Sequence, residues 1–407
     1  MKSATGRWVN GDDFLNREKE LALLESRIRD GNHILLTGQR RMGKTSLAQE
    51  IGRRLQAEGW VYLFTDVEDA RCPEDVVAEI AQAVHPIRPI ARPFGTVMKR
   101  WFDENIEETS ALDYHVKIRA GLDSGSWRRY GEQLIGNCAE HEQQVLLAID
   151  ELPIFLKRLL REDDGVTRVE EFLSWFRRIL QNHTDASLAI VVSGSIGLKP
   201  LVDRLGLSDR VNHLDPFRLS PWDRDTSVAC FTRLATEYEL RCEDGVAGAV
   251  YDALAVGIPH HIQSFFARLR DHATMHDRAT VTVADVKYVY KYDLLGPSGQ
   301  NDLVHYETRL KEGIDDDTYQ IAMLVLAEAA TQGVFGSEAR RCLGHLFASV
   351  VDDVARRIND ALDVLQHDGY LEASDTGYRF RSRLLRDWWL ARFKDHHVPL
   401  CGRNVED

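Results

Sequence analysis

Ile34-Leu35-Leu36-Thr37-Gly38-Gln39-Arg40-Arg41-Met42-Gly43-Lys44-Thr45-Ser46 is the stretch on which the reading of this chain turns. From Gly38 onward it fits G-x-x-x-x-G-K-[ST] without a gap. The three apolar residues before it predict a short buried strand. The amphipathic run from Thr45 to about Glu58 predicts a helix. A strand, a glycine-rich turn and a helix in that order are what a phosphate loop requires. Its backbone N–H groups and the helix N-terminus face inward and attract anionic phosphates. Gly38 and Gly43 let the backbone turn and approach a ligand closely. The predicted phosphate contacts therefore run through Gly38, Gln39, Arg40, Arg41, Met42, Gly43, Lys44, Thr45 and Ser46. Lys44 would reach the β- and γ-phosphates as a point charge, and the Thr45 hydroxyl would ligate Mg²⁺.

A chance match to that pattern is weighed down by a second signal downstream. Val145-Leu146-Leu147-Ala148-Ile149-Asp150-Glu151 is an apolar strand that ends in two carboxylates. In open parallel sheets the carboxyl ends of strands are where ligands bind. Asp150 is the expected Mg²⁺ partner through water, and Glu151 the expected general base that polarises an attacking water. Lys44, Asp150 and Glu151 form the expected catalytic set. Ser187 to Ser195 reads as a further buried strand with small polar residues at its end. Ser193 or Ser195 could sense the γ-phosphate from there, or simply cap the turn.

Working outward, Leu21, Leu24 and Ile28 recur at helical spacing before the first strand. Gly59 to Asp66 reads as a second strand, followed by a helix led by Pro73, a residue suited to a first helical turn. Alternation of strands and helices predicts a parallel sheet with helical crossovers. Residues 86 to 127 are irregular, with Tyr114 to Arg119 alternating as an extra strand would. Lys99-Arg100-Trp101 and Trp127-Arg128-Arg129-Tyr130 suggest a nucleic-acid surface, but their brevity favours a solvated face with buried rings. Val169 to Asn182 carries an aromatic stripe that reads as core packing. Val211 to Leu214 is the expected fifth strand. Helices follow over Trp222–Tyr238, Asp244–Ala255 and Pro259–Met275, and Gly296-Pro297-Ser298-Gly299 reads as a linker. His272 and His276 could share a helix face, with too few companions for a metal site. Asp315-Asp316-Asp317 suits a helix N-terminus. Three more helices, a two-stranded ribbon over Gly369 to Phe380 and a last helix with Trp388-Trp389 make a winged helix-turn-helix pattern. The expected organisation is a nucleotide-binding domain over 1–216, a helical lid over 217–297, and a linker helix with a winged helix over 298–407.

The 407 residues carry a net charge of -13, which argues against non-specific coating of nucleic acid. Cys72, Cys138, Cys230, Cys242, Cys342 and Cys401 are scattered with no C-x-x-C pair, which fits a reducing interior better than a disulfide framework or zinc site. The first residues carry no apolar signal segment, and no run approaches a membrane span. A cytoplasmic protein with no membrane partner is expected.

Taken together, these residues resemble the AAA+ and STAND ATPases, in particular the archaeal-type ATPase group, which also occurs in bacteria. The resemblance is carried by Phe14-x-x-Arg17-x-x-Glu20-Leu21, the loop from Gly38 to Leu47, the Asp150-Glu151 strand, Gly194-Ser195, Gly257-x-Pro259, and Tyr378-x-Phe380-x-x-x-Leu384-x-Arg386-x-Trp388. It implies an α/β fold: a P-loop NTPase, AAA+-like parallel sheet core, a helical lid and a C-terminal winged helix-turn-helix domain, with ATP between sheet and lid. Many AAA+ proteins place an arginine early in the third lid helix, at the γ-phosphate. This chain has Gly257-Ile258-Pro259-His260-His261 there, a G-x-P usual in STAND-type members, so Pro259 and His260 become sensor candidates. Arg204 and Arg210 lie where the resemblance puts an arginine finger from a neighbouring subunit; each also reads as an ordinary surface charge. The implied activity is that of an ATP-hydrolysing switch with slow turnover and Mg²⁺, coupled to another protein or to other copies of itself through lid and winged helix. The alternative is a DNA-binding initiator or transposition-type ATPase. Over Val350 to Asp368, Asp352, Asp353, Asp360, Asp363 and Asp368 face only Arg356 and Arg357, and that balance favours a protein partner over DNA.

Overall fold

The computed structural model describes residues 7–85, 87, 111–183, 187–194, 197–349 and 351–403. By their internal packing these fall into two compact units. One comprises residues 9–37 and 44–219, and the other gathers residues 38–43 with the chain from 220 onward.

The first unit is a parallel five-stranded sheet in the order β2-β3-β4-β1-β5. Helix α1 (Glu18–Arg29) leads into β1 (Ile34–Thr37), and α2 (Lys44–Ala57) follows it. Next come β2 (Val61–Asp66), α3 (Pro73–Val84), α4 (Ala111–Gly121), α5 (Trp127–Ala139) and β3 (Val145–Asp150). Helices α6 (Leu152–Leu159) and α7 (Gly165–Asn182) lead to β4 (Leu188–Ser193), then α8 (Leu198–Arg204) and β5 (Asp215–Arg218). Strands β3 and β4 are buried along their whole length, as strands covered on both faces must be. The three apolar residues of α1 read from the sequence, Leu21, Leu24 and Ile28, are completely buried.

One core fills this unit, and its densest part is aromatic. Trp127 on α5 meets Trp175 of α7 edge-on at 4.8 Å, and Phe172 meets Phe155 of α6 at 5.0 Å. Each such ring contributes roughly 1.5–3 kcal/mol by leaving water. The stripe over Val169 to Asn182 is thus packing. Trp127 and Tyr130 are likewise buried, and Arg128 pairs with Glu171, so this basic-aromatic pair is not a free surface. Lys99-Arg100-Trp101 lies outside the described residues.

Two strand expectations need correction. Tyr114 to Arg119 is helical, within α4. Its alternation was misleading because the segment buries Ile118 and Leu122 four apart, while Arg119 pairs with Asp75 of α3. The fifth strand is Asp215–Arg218, not Val211–Leu214. Val211 and Leu214 are buried in the preceding turn, and the true strand hides only Phe217. Because β5 pairs only with β1 at the sheet edge, Pro216 is tolerated there.

The second unit is helical apart from one ribbon. Its helices are α9 (Arg224–Glu237), α10 (Val246–Leu254), α11 (Pro259–Met275) and α12 (Val283–Val289), the last running into a π turn over Tyr290–Leu294. Helix α13 (Pro297–Gly313) starts inside the expected linker: Gly296 caps it and Pro297 occupies its first turn, which is how Gly-Pro can open a helix. Then follow α14 (Asp316–Gln332), α15 (Ser337–Phe347), α16 (Val354–His367), the antiparallel ribbon β6 (Leu371–Ser374) and β7 (Gly377–Phe380), and α17 (Arg383–Phe393). Asp315 does cap α14, accepting the Thr318 N–H at 3.1 Å. His272 is buried and bonded to Asp285 at 3.2 Å, with its ring 4.5 Å from that of His276.

The cysteine reading is also corrected. Cys342 of α15 and Cys401 form a disulfide with Cα atoms 5.3 Å apart, across 59 residues of sequence. A pair so distant in sequence leaves no local pattern. Leu400, 2% exposed, and a Glu328–His397 hydrogen bond of 2.6 Å seat the same tail segment. Among the described residues, no helix is long and apolar enough to cross a membrane.

Candidate phosphate-binding site

The sheet register brings the acidic strand end beside the start of α2. Ile149 of β3 lies opposite Val192 of β4, so Asp150 stands beside Ser193. Leu36 of β1 lies opposite Ser193 on the other side, so β1 ends at the same sheet edge. Asp150 is 4% exposed. Its Oδ2 accepts the Thr45 hydroxyl at 2.6 Å, and its Oδ1 accepts the Ser193 hydroxyl at 2.6 Å and the Glu151 N–H at 3.0 Å. Short O–H···O⁻ bonds of this kind are charge-assisted and orient the carboxylate firmly.

Glu151 has φ 58°, the left-handed region, and caps α6. A residue with a Cβ held there costs about 1–3 kcal/mol and persists because its surroundings impose it. Gly194 explains part of that imposition: a Cβ there would sit 2.5 Å from Pro153 Cδ and 3.5 Å from Glu151 Oε2. The Gly after Ser193 thus lets the first turn of α6 close over the end of β4. Ser195 lies outside the described residues.

The loop itself is a string of left-handed turns, with φ 148° at Gly38, 67° at Arg41 and 86° at Gly43. Lys44 is 7% exposed and opens α2. Met42 is buried, and the Ser46 hydroxyl accepts the Val9 amide at 3.1 Å. One helical turn further along, Glu50 is buried and accepts the Gly11 N–H at 2.8 Å together with Arg53 and Arg54. Burial alone would raise the Glu50 carboxyl, but the Arg53, Gly11 and Arg54 hydrogen bonds win and bring it to about 2. Sequence reasoning passed over Glu50, since an acid on an amphipathic helix reads as surface. The buried Arg17 of the entry motif pairs with Glu20 at 2.7 Å, and burial pulls it below the ordinary arginine value.

The intervening loop side chains pack within the second unit. The Arg40 guanidinium donates to the His305 carbonyl at 3.4 Å, and that of Arg41 lies over the Tyr306 ring at 5.9 Å from its centroid. Burial, then the charges of Arg309 and Arg41, pull Arg40 below its ordinary value. Gln39 is 5% exposed and sits against Gly369. Arg41, His260, His261, Ser264, Leu303 and Leu384 line one small cavity. Pro259 is the first residue of α11. Gly257 ahead of it cannot be replaced without movement, because a Cβ would lie 2.3 Å from the Trp222 carbonyl oxygen. His261 is buried against Tyr306, 3.3 Å from its hydroxyl, and burial, then His260 and Arg41, drive it well below the usual histidine value.

The arginine-finger candidates belong to the first unit. Arg204 ends α8, and Arg210 pairs with Glu170 at 2.9 Å. Among the described residues no cluster of three or more His, Cys, Asp or Glu side chains is arranged to hold a metal. Of the oxygens that converge at the end of β3, the Thr45 hydroxyl and the Asp150 carboxylate are the pair at the start of α2. This oxygen pair suits Mg²⁺, which keeps several waters and takes its remaining ligands from phosphates.

Residues 27–202 match the family model described as an AAA domain. A search of curated proteins finds no similar sequence. Among solved structures, the chain is similar to the Walker-type ATPase PABY2304 of Pyrococcus abyssi, with a TM-score of 0.59 at 16% identity over 94% of this chain and 97% of that one. It is also similar to the ORC2 protein of Aeropyrum pernix, solved in ADPNP and ADP complexes, with a TM-score of 0.54 at 12% identity over 94% and 98%. At such identities the likeness is one of fold. The gapless loop and the acidic strand end both lie within residues 27–202, the segment that is similar to the AAA domain family.

Proposed function

We propose that this protein binds and hydrolyses ATP as a slow molecular switch, and that its nucleotide state governs association with another protein or with further copies of itself. The observation that carries this is the meeting of Thr45 and Asp150 at 2.6 Å, two residues 105 apart in sequence. A chance loop match gives no reason for its hydroxyl to find a buried carboxylate at the end of a strand two places away in the sheet.

In this reading the loop N–H groups and Lys44 bind the phosphates. Thr45 and Asp150 would hold Mg²⁺, which, when bound, neutralises charge on the phosphates. Glu151 orients the attacking water and takes its proton. Ser193 keeps Asp150 pointed at the Thr45 hydroxyl. Pro259 and His260, with Ser193, are the candidates for sensing the γ-phosphate, and Arg204 and Arg210 for action in trans. The three helices α14, α15 and α16 with the β6–β7 ribbon serve as a winged helix.

A protein partner is favoured over DNA by where the basic side chains point. Arg357 of α16 is drawn to Asp315 and Asp317, and Arg379 of the ribbon to Glu372 at 3.0 Å. Cations already paired within the chain contribute little to phosphate neutralisation. The test is a pair of substitutions assayed for mant-ATP binding and phosphate release. Lys44→Ala should abolish binding, whereas Glu151→Gln should bind and not turn over. Phosphate release by Glu151→Gln at the wild-type rate would defeat the general-base role, and wild-type protein that fails to bind Mg-ATP would defeat the whole reading.

A further inference from the structure

We propose that Gly369 and Tyr306 are positioning residues for the phosphate loop, so that the segment joining α16 to the β6–β7 ribbon sets how tightly nucleotide is held. The proposal rests on the reading of the loop as the ATP site and names what regulates it.

Three successive loop residues are engaged. Arg40 donates to the His305 carbonyl, Arg41 lies over the Tyr306 ring, and Gln39 packs on Gly369. The last contact leaves no space for a side chain. A Cβ on Gly369 would lie 2.4 Å from Gln39 Cδ, 2.5 Å from Oε1 and 2.6 Å from Cγ. Gly369 also has φ 79°, so it is a glycine for two reasons at once. It has no room to withdraw. Its N–H is held by the Gln366 carbonyl at 3.2 Å, and the next N–H, of Tyr370, by that of Leu365 at 2.8 Å. These bonds tie the turn to the end of α16 as a helix C-terminus is usually tied.

Tyr370 joins the two contact points. Its buried hydroxyl donates to the Tyr306 carbonyl at 2.7 Å, and the two rings meet edge to face at 5.7 Å. A displacement at the end of α16 is therefore felt by Gln39 directly and by Arg41 through Tyr306. Arg41 has φ 67°, a conformation that a residue with a Cβ keeps only under external constraint. Gly43 and Lys44 follow two and three residues later, so the shape imposed on 39–41 is passed along the backbone to the phosphate ligands. By reciprocity, a nucleotide that orders the loop must bias the segment at Gly369 by the same factor.

The experiment uses the full chain, mant-ATP and mant-ADP with Mg²⁺, and two glycine substitutions. Gly369→Ala adds a methyl group against Gln39. Gly333→Ala adds the same group at φ 83° with nothing within 4 Å, and so matches the backbone penalty without touching the loop. Gly369→Ala is expected to raise the Kd for both nucleotides at least about fivefold relative to Gly333→Ala, the lower end of coupling between linked sites. Adding Gln39→Ala to Gly369→Ala should return the Kd to that of Gln39→Ala alone, because the clashing side chain is gone. Equal Kd values for the two alanine variants, or no relief by Gln39→Ala, would overturn the proposal. If Gly369→Ala shows no cooperative melting transition, the deciding pair is Tyr306→Leu and Tyr306→Phe. The first removes the ring face under Arg41 and should weaken binding, the second keeps it and should not; equal binding by these two overturns the proposal. A wild-type chain that does not bind mant-ATP refutes the nucleotide reading itself.

Discussion

Ser193→Ala separates two roles that the sequence leaves open for this residue. Ser193 is 3% exposed, and its hydroxyl donates to Asp150 Oδ1 at 2.6 Å. Among the described residues that oxygen then keeps the Glu151 N–H, at 3.0 Å. A hydrogen bond to a charged group contributes about 1.5–3 kcal/mol, and alanine brings no clash, since it only removes an oxygen. The expected loss is about 2 kcal/mol. For a unit of 150–250 residues each kcal/mol moves the midpoint by about 2–4 °C, so Tm should fall by about 4–8 °C.

The binding consequence is the sharper part. If Ser193 holds the Asp150 carboxylate toward Thr45, alanine weakens Mg-ATP and Mg-ADP alike, because both need that carboxylate. Binding measured in EDTA should not change. If Ser193 instead touches the γ-phosphate, ATP weakens and ADP does not. Thermal melts followed by circular dichroism and mant-nucleotide titrations with and without Mg²⁺ read both effects. An unchanged Tm, or a loss confined to ATP, would refute the positioning argument.

Two further outcomes follow from buried groups and from the tail. Burial pulls His33 and His261 below the ordinary 6.5, and burial with the charges of His33 and Arg177 takes His213 to about 4. Each folded value lies below the unfolded one, so the unfolded chain binds more protons as pH falls through 6.5. Stability should be complete above that value and decline toward pH 4, seen as a lower urea midpoint at pH 5.5 than at pH 7.5; a flat midpoint would contradict it. Cys342–Cys401 spans 59 residues, for which loop-closure entropy gives about 4 kcal/mol. Reduction, or Cys342→Ser, should therefore lower the melting temperature of the carboxy-terminal helices. Mass spectrometry showing six free thiols in the native, unreduced protein would remove the premise.

The parts of the fold visible in the sequence were those whose signal is local. The glycine spacing, the apolar runs at Ile34, Val145 and Leu188, and the spacing of Leu21, Leu24 and Ile28 each arise within one element. Helices Ser337–Phe347 and Arg383–Phe393 fall where periodicity and capping place them. What failed depended on partners elsewhere. The segment at Tyr114 alternates like a strand, yet Asp75 and the α3 face make it a helix. Val211 and Leu214 are apolar because a turn is buried, and only pairing with β1 reveals Asp215–Arg218 as the strand. The short helices α6 and α8 are too brief to show a period. At the candidate site, Lys44, Thr45, Asp150 and Glu151 were legible by type and spacing. The Ser193 bond to Asp150 required the β3–β4 register, and the Gly369 contact joins residues 330 apart, which no local pattern can announce.

The two histidines at the start of α11 bear on how the proposed switch would work. Helix α11 opens with Pro259 and two histidines, and Gly257 before them is locked against the Trp222 carbonyl. His261 is kept neutral by its burial, so that position brings no cation. The phosphate loop carries two guanidinium groups of its own, Arg40 and Arg41. A cation carried on a separate helix reports the γ-phosphate by approaching it. A cation carried on the loop travels with the phosphates and reports nothing by distance. What can change between nucleotide states is then the shape of the loop, and the side chains that read shape here are Gln39 against Gly369 and Arg41 over Tyr306. The carboxy-terminal helices would thus respond to nucleotide through packing and backbone conformation more than through charge. Such a response tolerates the net charge of -13.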